Sequence, residues 1–84
     1  MRIVRVETCP GDKGTEAIRR FGFGRRMFDV TENVDQWHGE GYSYFKVKAS
    51  DSNLYILRFD EARAEWHLIM FKAHQLGKLS RVFH

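Results

Sequence analysis

The chain has one cysteine and one proline in 84 residues. Cys9 has no partner for an internal disulfide, which excludes a disulfide-stapled scaffold and fits a reducing compartment, so a cytoplasmic location is expected. No apolar run approaches the roughly 20 residues of a membrane-spanning helix. Met1–Arg5 lacks the apolar segment of a signal peptide, and the whole chain is read as mature. Repeats, low-complexity tracts and linkers are absent, and residues 1–84 are read as a single β domain. Metal binding is disfavoured because His38, His67, His74 and His84 fall at no zinc-site spacing and Cys9 has no second thiol. No cofactor motif is present either: Gly22-Phe23-Gly24 and Gly39-Glu40-Gly41 lack the strand–turn–helix setting of a phosphate loop and read as turn glycines.

Hydrophobic residues make up 43% of the chain and aromatic ones 14%, enough apolar surface for a core. The net charge of +3 is unevenly spread. Residues 1–26 carry seven Lys/Arg against three Asp/Glu, residues 27–45 carry four acids and no Lys/Arg, and residues 46–84 carry seven basic residues against four acids. Such blocks shape surface potential and association rather than fold.

Ile3–Thr8 is rich in β-branched residues and reads as a first strand, followed by a loop at Thr8-Cys9-Pro10-Gly11-Asp12-Lys13-Gly14. Residues 15–22 admit two readings, a short helix capped by Thr15 or a strand. A hairpin explains more. Gly24-Arg25 suits a two-residue type II′ turn, setting Phe23 opposite Arg26 and Phe21 opposite Phe28. The next strand is expected from Arg26 to about Val34, with Trp37-His38-Gly39-Glu40-Gly41 as a loop. Val30 and Val34 have one parity and Trp37 the other, so a bulge or the strand's end must intervene if all three are buried.

Tyr42–Ala49, Leu54–Asp60 and Glu65–Ala73 read as a three-stranded meander. With Asp51-Ser52-Asn53 as the loop and Asn53 in the left-handed conformation, Ala49 faces Tyr55, Val47 faces Leu57, and Phe45 faces Phe59. The loop Glu61–Ala64 then sets Phe59 against Trp66, Leu57 against Leu68 and Tyr55 against Met70. Phe45, Val47, Tyr55, Leu57, Phe59, Trp66, Leu68 and Met70 are the expected core. The fold class is all-β, a small antiparallel bent sheet or SH3-like barrel with a C-terminal three-stranded meander.

That register sends Tyr42, Tyr44, Lys46, Lys48, Leu54, Ile56, Arg58, His67, Ile69 and Phe71 to the opposite face, the candidate binding surface. Lys46, Arg58 and His67 are expected to align as a basic row. Leu54, Ile56, Ile69 and Phe71 form an apolar half that needs a cover: the first hairpin, the tail Gln75–Phe83, or a second copy of the chain. Tyr42, Tyr44, Lys46 and Lys48 interleave rings and cations as single-stranded nucleic-acid binders do, but also as ordinary solvated strands do. Arg19, Arg20, Arg25 and Arg26 flank the first turn as a candidate basic edge, for which protection against sheet-to-sheet aggregation is the plainer explanation.

No residues suggest catalysis. His38 sits beside Gly39 and Glu40 without a convincing nucleophile. Asp60, Glu61 and Glu65 border one hairpin loop, where a solvated cluster is commoner than an acid/base pair. The expected function is a non-enzymatic binding or assembly module with a protein partner or a homodimer, and single-stranded nucleic-acid binding is the alternative.

The run Arg20-Phe21-Gly22-Phe23-Gly24-Arg25, followed by Phe28-Asp29-Val30, Trp37, Tyr44-Phe45-Lys46-Val47, Leu54–Asp60 and Trp66-His67-Leu68, resembles a family of short bacterial domains of unknown function. Some of that family's members are encoded near translesion DNA polymerases. The resemblance spans about residues 18–71, with Phe23 where the pattern expects tryptophan. It implies a fold and a DNA-repair neighbourhood, and it supplies no catalytic residues.

Overall fold

The computed structural model describes residues 2–10 and 16–72. Six antiparallel strands, β1 (Arg2–Pro10), β2 (Glu16–Phe23), β3 (Arg26–Gly39), β4 (Tyr42–Ala49), β5 (Leu54–Asp60) and β6 (Glu65–Lys72), follow one another around a closed barrel. Closure comes from β1, which divides its pairing. Arg2, Ile3 and Val4 face Leu68, His67 and Trp66 of β6, whereas Arg5–Pro10 pair with β2. A closed ring leaves no long unpaired edge, which an open six-stranded sheet would have to protect.

Residues 16–23 are strand, not helix. Gly24 has φ +61° and Arg25 does not enter the left-handed region, as a type II′ turn requires. The expected pairs Phe21↔Phe28 and Phe23↔Arg26 form. Phe28 stacks on both Phe21 and Phe23 with ring centroids 5.4 Å apart, and Tyr55 meets Phe21 edge-on at 4.8 Å. These rings join Val4, Ile18, Phe45, Val47, Ala49 and Leu57 in the barrel interior. Gly22 is a strand residue, not a turn glycine. A Cβ there would lie 2.5 Å from the Arg26 carbonyl oxygen, so only glycine lets β2 and β3 approach this closely.

Four expectations are corrected. First, β3 runs on through Trp37, His38 and Gly39, so these are strand residues and not a loop. Two irregularities, between Val30 and Glu32 and between Asn33 and Asp35, let the long strand bend around the barrel and return to register. Second, the β4–β5 register is offset by two residues from the expected one: Val47 faces Tyr55, Phe45 faces Leu57 and Ser43 faces Phe59. The loop is Ser50-Asp51-Ser52. The Ser52 amide donates to the Ala49 carbonyl at 2.9 Å, and Ser52, not Asn53, takes the positive φ of 69°. An even offset leaves every side chain on its expected face.

Third, β6 carries an extra residue after Leu68, so that Ile56 faces Met70 and Tyr55 faces Phe71. Met70 is therefore outside the core and 57% exposed, while the Phe71 ring packs at 5.1 Å on Tyr55 at the barrel mouth instead of joining the outer face. Fourth, Cys9 and Pro10 end β1 and do not belong to a loop. Gly11–Gly14 of that loop, the Thr15 cap, Ala73 and the tail proposed as a cover lie outside the described residues, as do His74 and His84.

Where β2 and β3 separate beyond the Arg20↔Asp29 pair, the Asn33 side chain takes the place of a strand partner. Its Oδ1 accepts from the Ile18 amide at 3.0 Å and its Nδ2 donates to the Ile18 carbonyl at 3.1 Å. One amide group thus satisfies both main-chain polar groups of a residue that is only 1% exposed.

Candidate functional site: the outer face of β3 to β6

Strand alternation sends Ser43, Phe45, Val47 and Ala49 inward as buried residues and leaves Tyr42, Tyr44, Lys46 and Lys48 half-buried on the outer face. Cross-strand register then arranges that face in rows. At one end Gly39, Tyr42, Asp60 and Glu65 lie side by side, and the next row is Trp37, Tyr44, Arg58 and His67. Asp35, Lys46, Ile56 and Met70 make the third row, and Glu32, Lys48, Leu54 and Lys72 the fourth.

The second row is the most ordered. The Trp37 and Tyr44 rings stack with centroids 5.4 Å apart and planes only 5° from parallel, and Trp37 remains 38% exposed. Tyr42 lies 6.4 Å from Tyr44, and the Arg58 guanidinium sits 4.3 Å over the Tyr42 ring. Ring stacking and the cation–π contact each add to burial, and together they hold four large side chains in fixed positions on an exposed face. His67, in register with Arg58, is buried although it points outward, and its Nε2 lies 3.3 Å from a Glu65 carboxylate oxygen.

The expected basic row of Lys46, Arg58 and His67 does not form. The two-residue offset puts Tyr44, not Lys46, beside Arg58, and Lys46 falls in the row with Ile56. Each lysine of β4 instead faces an acid on β3 in register, Asp35 for Lys46 and Glu32 for Lys48. These acids come from the stretch without Lys/Arg, and their outward position on a bulged strand could not be read from local spacing. Trp37 was missed for the same reason: its partner Tyr44 is visible only once β3 extends past Val34.

The apolar half is redistributed as well. Leu54 and Ile56 stay on the outer face, Met70 replaces Phe71 beside Ile56, and Ile3, in register with His67, adds a residue that is 65% exposed. Ile69 lies at the irregularity of β6 and is also exposed.

The four arginines of the first hairpin do not act as one edge. Arg20 places Nε 3.5 Å from Asp29 and 3.8 Å from Glu7, and the Arg26 guanidinium lies 5.0 Å over the Phe28 ring. Arg19 and Arg25 are exposed.

On the inner side of the β3–β4 hairpin, His38 is opposite Ser43, with Nδ1 and Oγ 3.0 Å apart. Ser43 Oγ also lies 3.5 Å from Glu61 Oε2. Serine stands between histidine and carboxylate here. A nucleophilic triad has histidine in the middle, so the order does not activate Ser43 as that arrangement does. Among the described residues, no group of three or more His, Cys, Asp or Glu side chains is gathered to hold a metal ion. Comparison with protein-family models, with curated proteins and with solved structures found no match.

Proposed function

We propose that the chain is a non-enzymatic binding module that engages a protein partner through the outer face of β3, β4 and β5. The observation that carries this reading is the exposed Trp37–Tyr44 stack, continued by Tyr42 under Arg58. Tryptophan, tyrosine and arginine are the residues over-represented among those that dominate binding energy at protein interfaces. Holding them rigid before association reduces the entropy lost on binding.

The alternation of charge favours protein over polyanion. A nucleic-acid backbone gains affinity from phosphates neutralised by unopposed cations. Lys46 and Lys48 each have an acid directly across the strand pair, which lowers the local positive potential and suits a partner carrying both signs. Single-stranded nucleic acid is the second reading, supported by the same stack, because bases stack on exposed rings. With two lysine–phosphate contacts its affinity should fall with salt at a log–log slope of only about −1.4. The partner is either a second copy, for which Ile3, Ile56 and Met70 supply an apolar margin, or a different protein of the reducing compartment implied by the lone Cys9.

A photoreactive benzophenone amino acid placed at position 37 or 46, with position 19 as a control, tests this in the native host. The expected result is a discrete adduct from positions 37 and 46 that resists nuclease, is absent from position 19 and is lost in Tyr44→Ala. Nuclease-sensitive adducts, or fluorescence anisotropy showing tight low-salt binding of labelled oligonucleotide, would establish the second reading instead. An adduct of twice the chain mass identifies the second copy. Equal labelling from all three positions overturns the assignment of this face.

A further inference from the structure

Among the described residues, a cavity of about 590 Å³ lies at the end of the barrel that carries the β3–β4 turn and the β5–β6 loop. That size is in the range of small-molecule sites, roughly 300–1,000 Å³. Its walls differ in character. Part of the lining is aromatic: Trp66 packs at 5.1 Å on Phe45 and at 5.0 Å on Phe59, and all three residues line the cavity. The rest of the lining is Val6, Thr8 and Gln36 together with Glu16 of β2, Glu61 of the β5–β6 loop and the bonded pair His38 and Ser43. No Lys or Arg is among the lining residues described.

Two carboxylates in a cavity that three aromatic residues also line suit positive charge. Aromatic faces attract a cation through their quadrupole, and carboxylates accept its hydrogen bonds. An anion would meet only repulsion from Glu16 and Glu61 and would gain nothing from the rings. A neutral apolar molecule would desolvate both carboxylates without replacing their water. Ser43 Oγ lies 3.5 Å from one oxygen of the Glu61 carboxylate, and the other oxygen is left to a ligand.

We propose that this mouth cavity binds a small organic ammonium ion whose apolar body rests on Trp66, Phe45 and Phe59 and whose charged group is met by Glu16 and Glu61. The site is separate from the outer face of β3 to β5, and neither proposal depends on the other.

The test uses a set of three probes of nearly the same shape: phenethylamine as the cation, 2-phenylethanol as the neutral form and phenylacetate as the anion. Trp66 reports binding by its fluorescence in a Trp37→Phe background, and calorimetry on the unaltered chain checks the affinities. Phenethylamine is expected to saturate, 2-phenylethanol to bind roughly tenfold more weakly and phenylacetate not to bind. Glu61→Gln and Glu16→Gln, which keep the side-chain shape, should each weaken phenethylamine by roughly tenfold without moving 2-phenylethanol. The probe comparison on the unaltered chain decides the matter even if one variant fails to fold. Equal binding of all three probes, preference for phenylacetate, or no saturation by phenethylamine at millimolar concentration overturns the proposal.

Discussion

Replacing Asn33 tests whether one side chain completes the barrel wall between β2 and β3. The Asn33 amide holds the Ile18 N–H at 3.0 Å and the Ile18 C=O at 3.1 Å, and Ile18 is 1% exposed. Asn33→Ala orphans both groups. An unsatisfied buried donor or acceptor costs about 1–3 kcal/mol, so two cost about 2–6 kcal/mol. Asn33 itself is exposed, and water entering at its position recovers part of the loss, which places the expected destabilisation at about 2–4 kcal/mol. Asn33→Asp separates the two bonds. Its carboxylate still accepts from the Ile18 amide, but it sets a second oxygen against the Ile18 carbonyl, where a donor is needed. Protonation restores the donor.

The neutral form of the introduced carboxyl is therefore favoured in the folded state, and its folded pKa lies above the unfolded value of about 3.9. Stability from this bond is fully present below the unfolded pKa and is lost as pH rises through the folded pKa. Urea denaturation of Asn33→Asp and Asn33→Ala at pH 4 and pH 7, compared at each pH so that shared titrations cancel, should show the aspartate variant gaining on the alanine variant in acid. An alanine variant within about 0.5 kcal/mol of the wild type, the usual range of featureless surface sites, would refute the reasoning. So would a gap between the two variants that does not depend on pH.

Leu57→Ala should destabilise by about 2–5 kcal/mol in chemical denaturation, because Leu57 is fully buried among β4 and β6 side chains and its loss leaves a cavity. The Tyr55 hydroxyl is pushed up to about 12, first by burial and then by its 2.5 Å hydrogen bond to Asp51. Since the folded pKa is the higher, its contribution is complete below pH 10 and is lost as pH rises through 12, a difference of about 2–3 kcal/mol that Tyr55→Phe should abolish in alkaline melts. Burial works against the Asp51 carboxylate, but hydrogen bonds from Tyr55 and Asn53 outweigh it and hold its pKa below 3.8, so stability from this group is present at neutral pH and lost as acid protonates it. Gly22→Ala should lower the melting temperature, because the added carbon meets the Arg26 carbonyl oxygen at 2.5 Å and β2 and β3 must move apart.

How far the sequence revealed this barrel follows from the range of each signal. Gly24-Arg25 fixed its hairpin correctly because a two-residue turn with glycine first sets register by local chemistry. The β4–β5 loop was harder. Ser52 ends the loop and Asn53 follows it, asparagine is the commoner left-handed residue, and the chain uses Ser52. The resulting error of two residues kept the core faces right and misplaced Lys46 relative to Arg58. An extra residue in β6 exchanged the faces of Met70 and Phe71, which no periodicity reveals when Ile69, Met70 and Phe71 are all apolar. Closure by β1 on β6, the extension of β3 and the Asn33 bridge depend on residues far apart in sequence. The aromatic row was therefore only half legible: Tyr42 and Tyr44 were found, and Trp37 was assigned to a loop.

The seam between β1 and β6 joins the beginning of the described chain to its end, over Arg2, Ile3 and Val4 alone. Every other strand pair joins neighbours in sequence and closes a short loop, whereas this one must first bring together segments more than sixty residues apart. A six-stranded meander can therefore assemble hairpin by hairpin, and the ring is completed by its longest-range and shortest pairing. Opening that seam costs only the three-residue pairing of Arg2, Ile3 and Val4 and leaves β1 held to β2 over Arg5–Pro10, so the barrel can unclasp along one line while every hairpin stays formed.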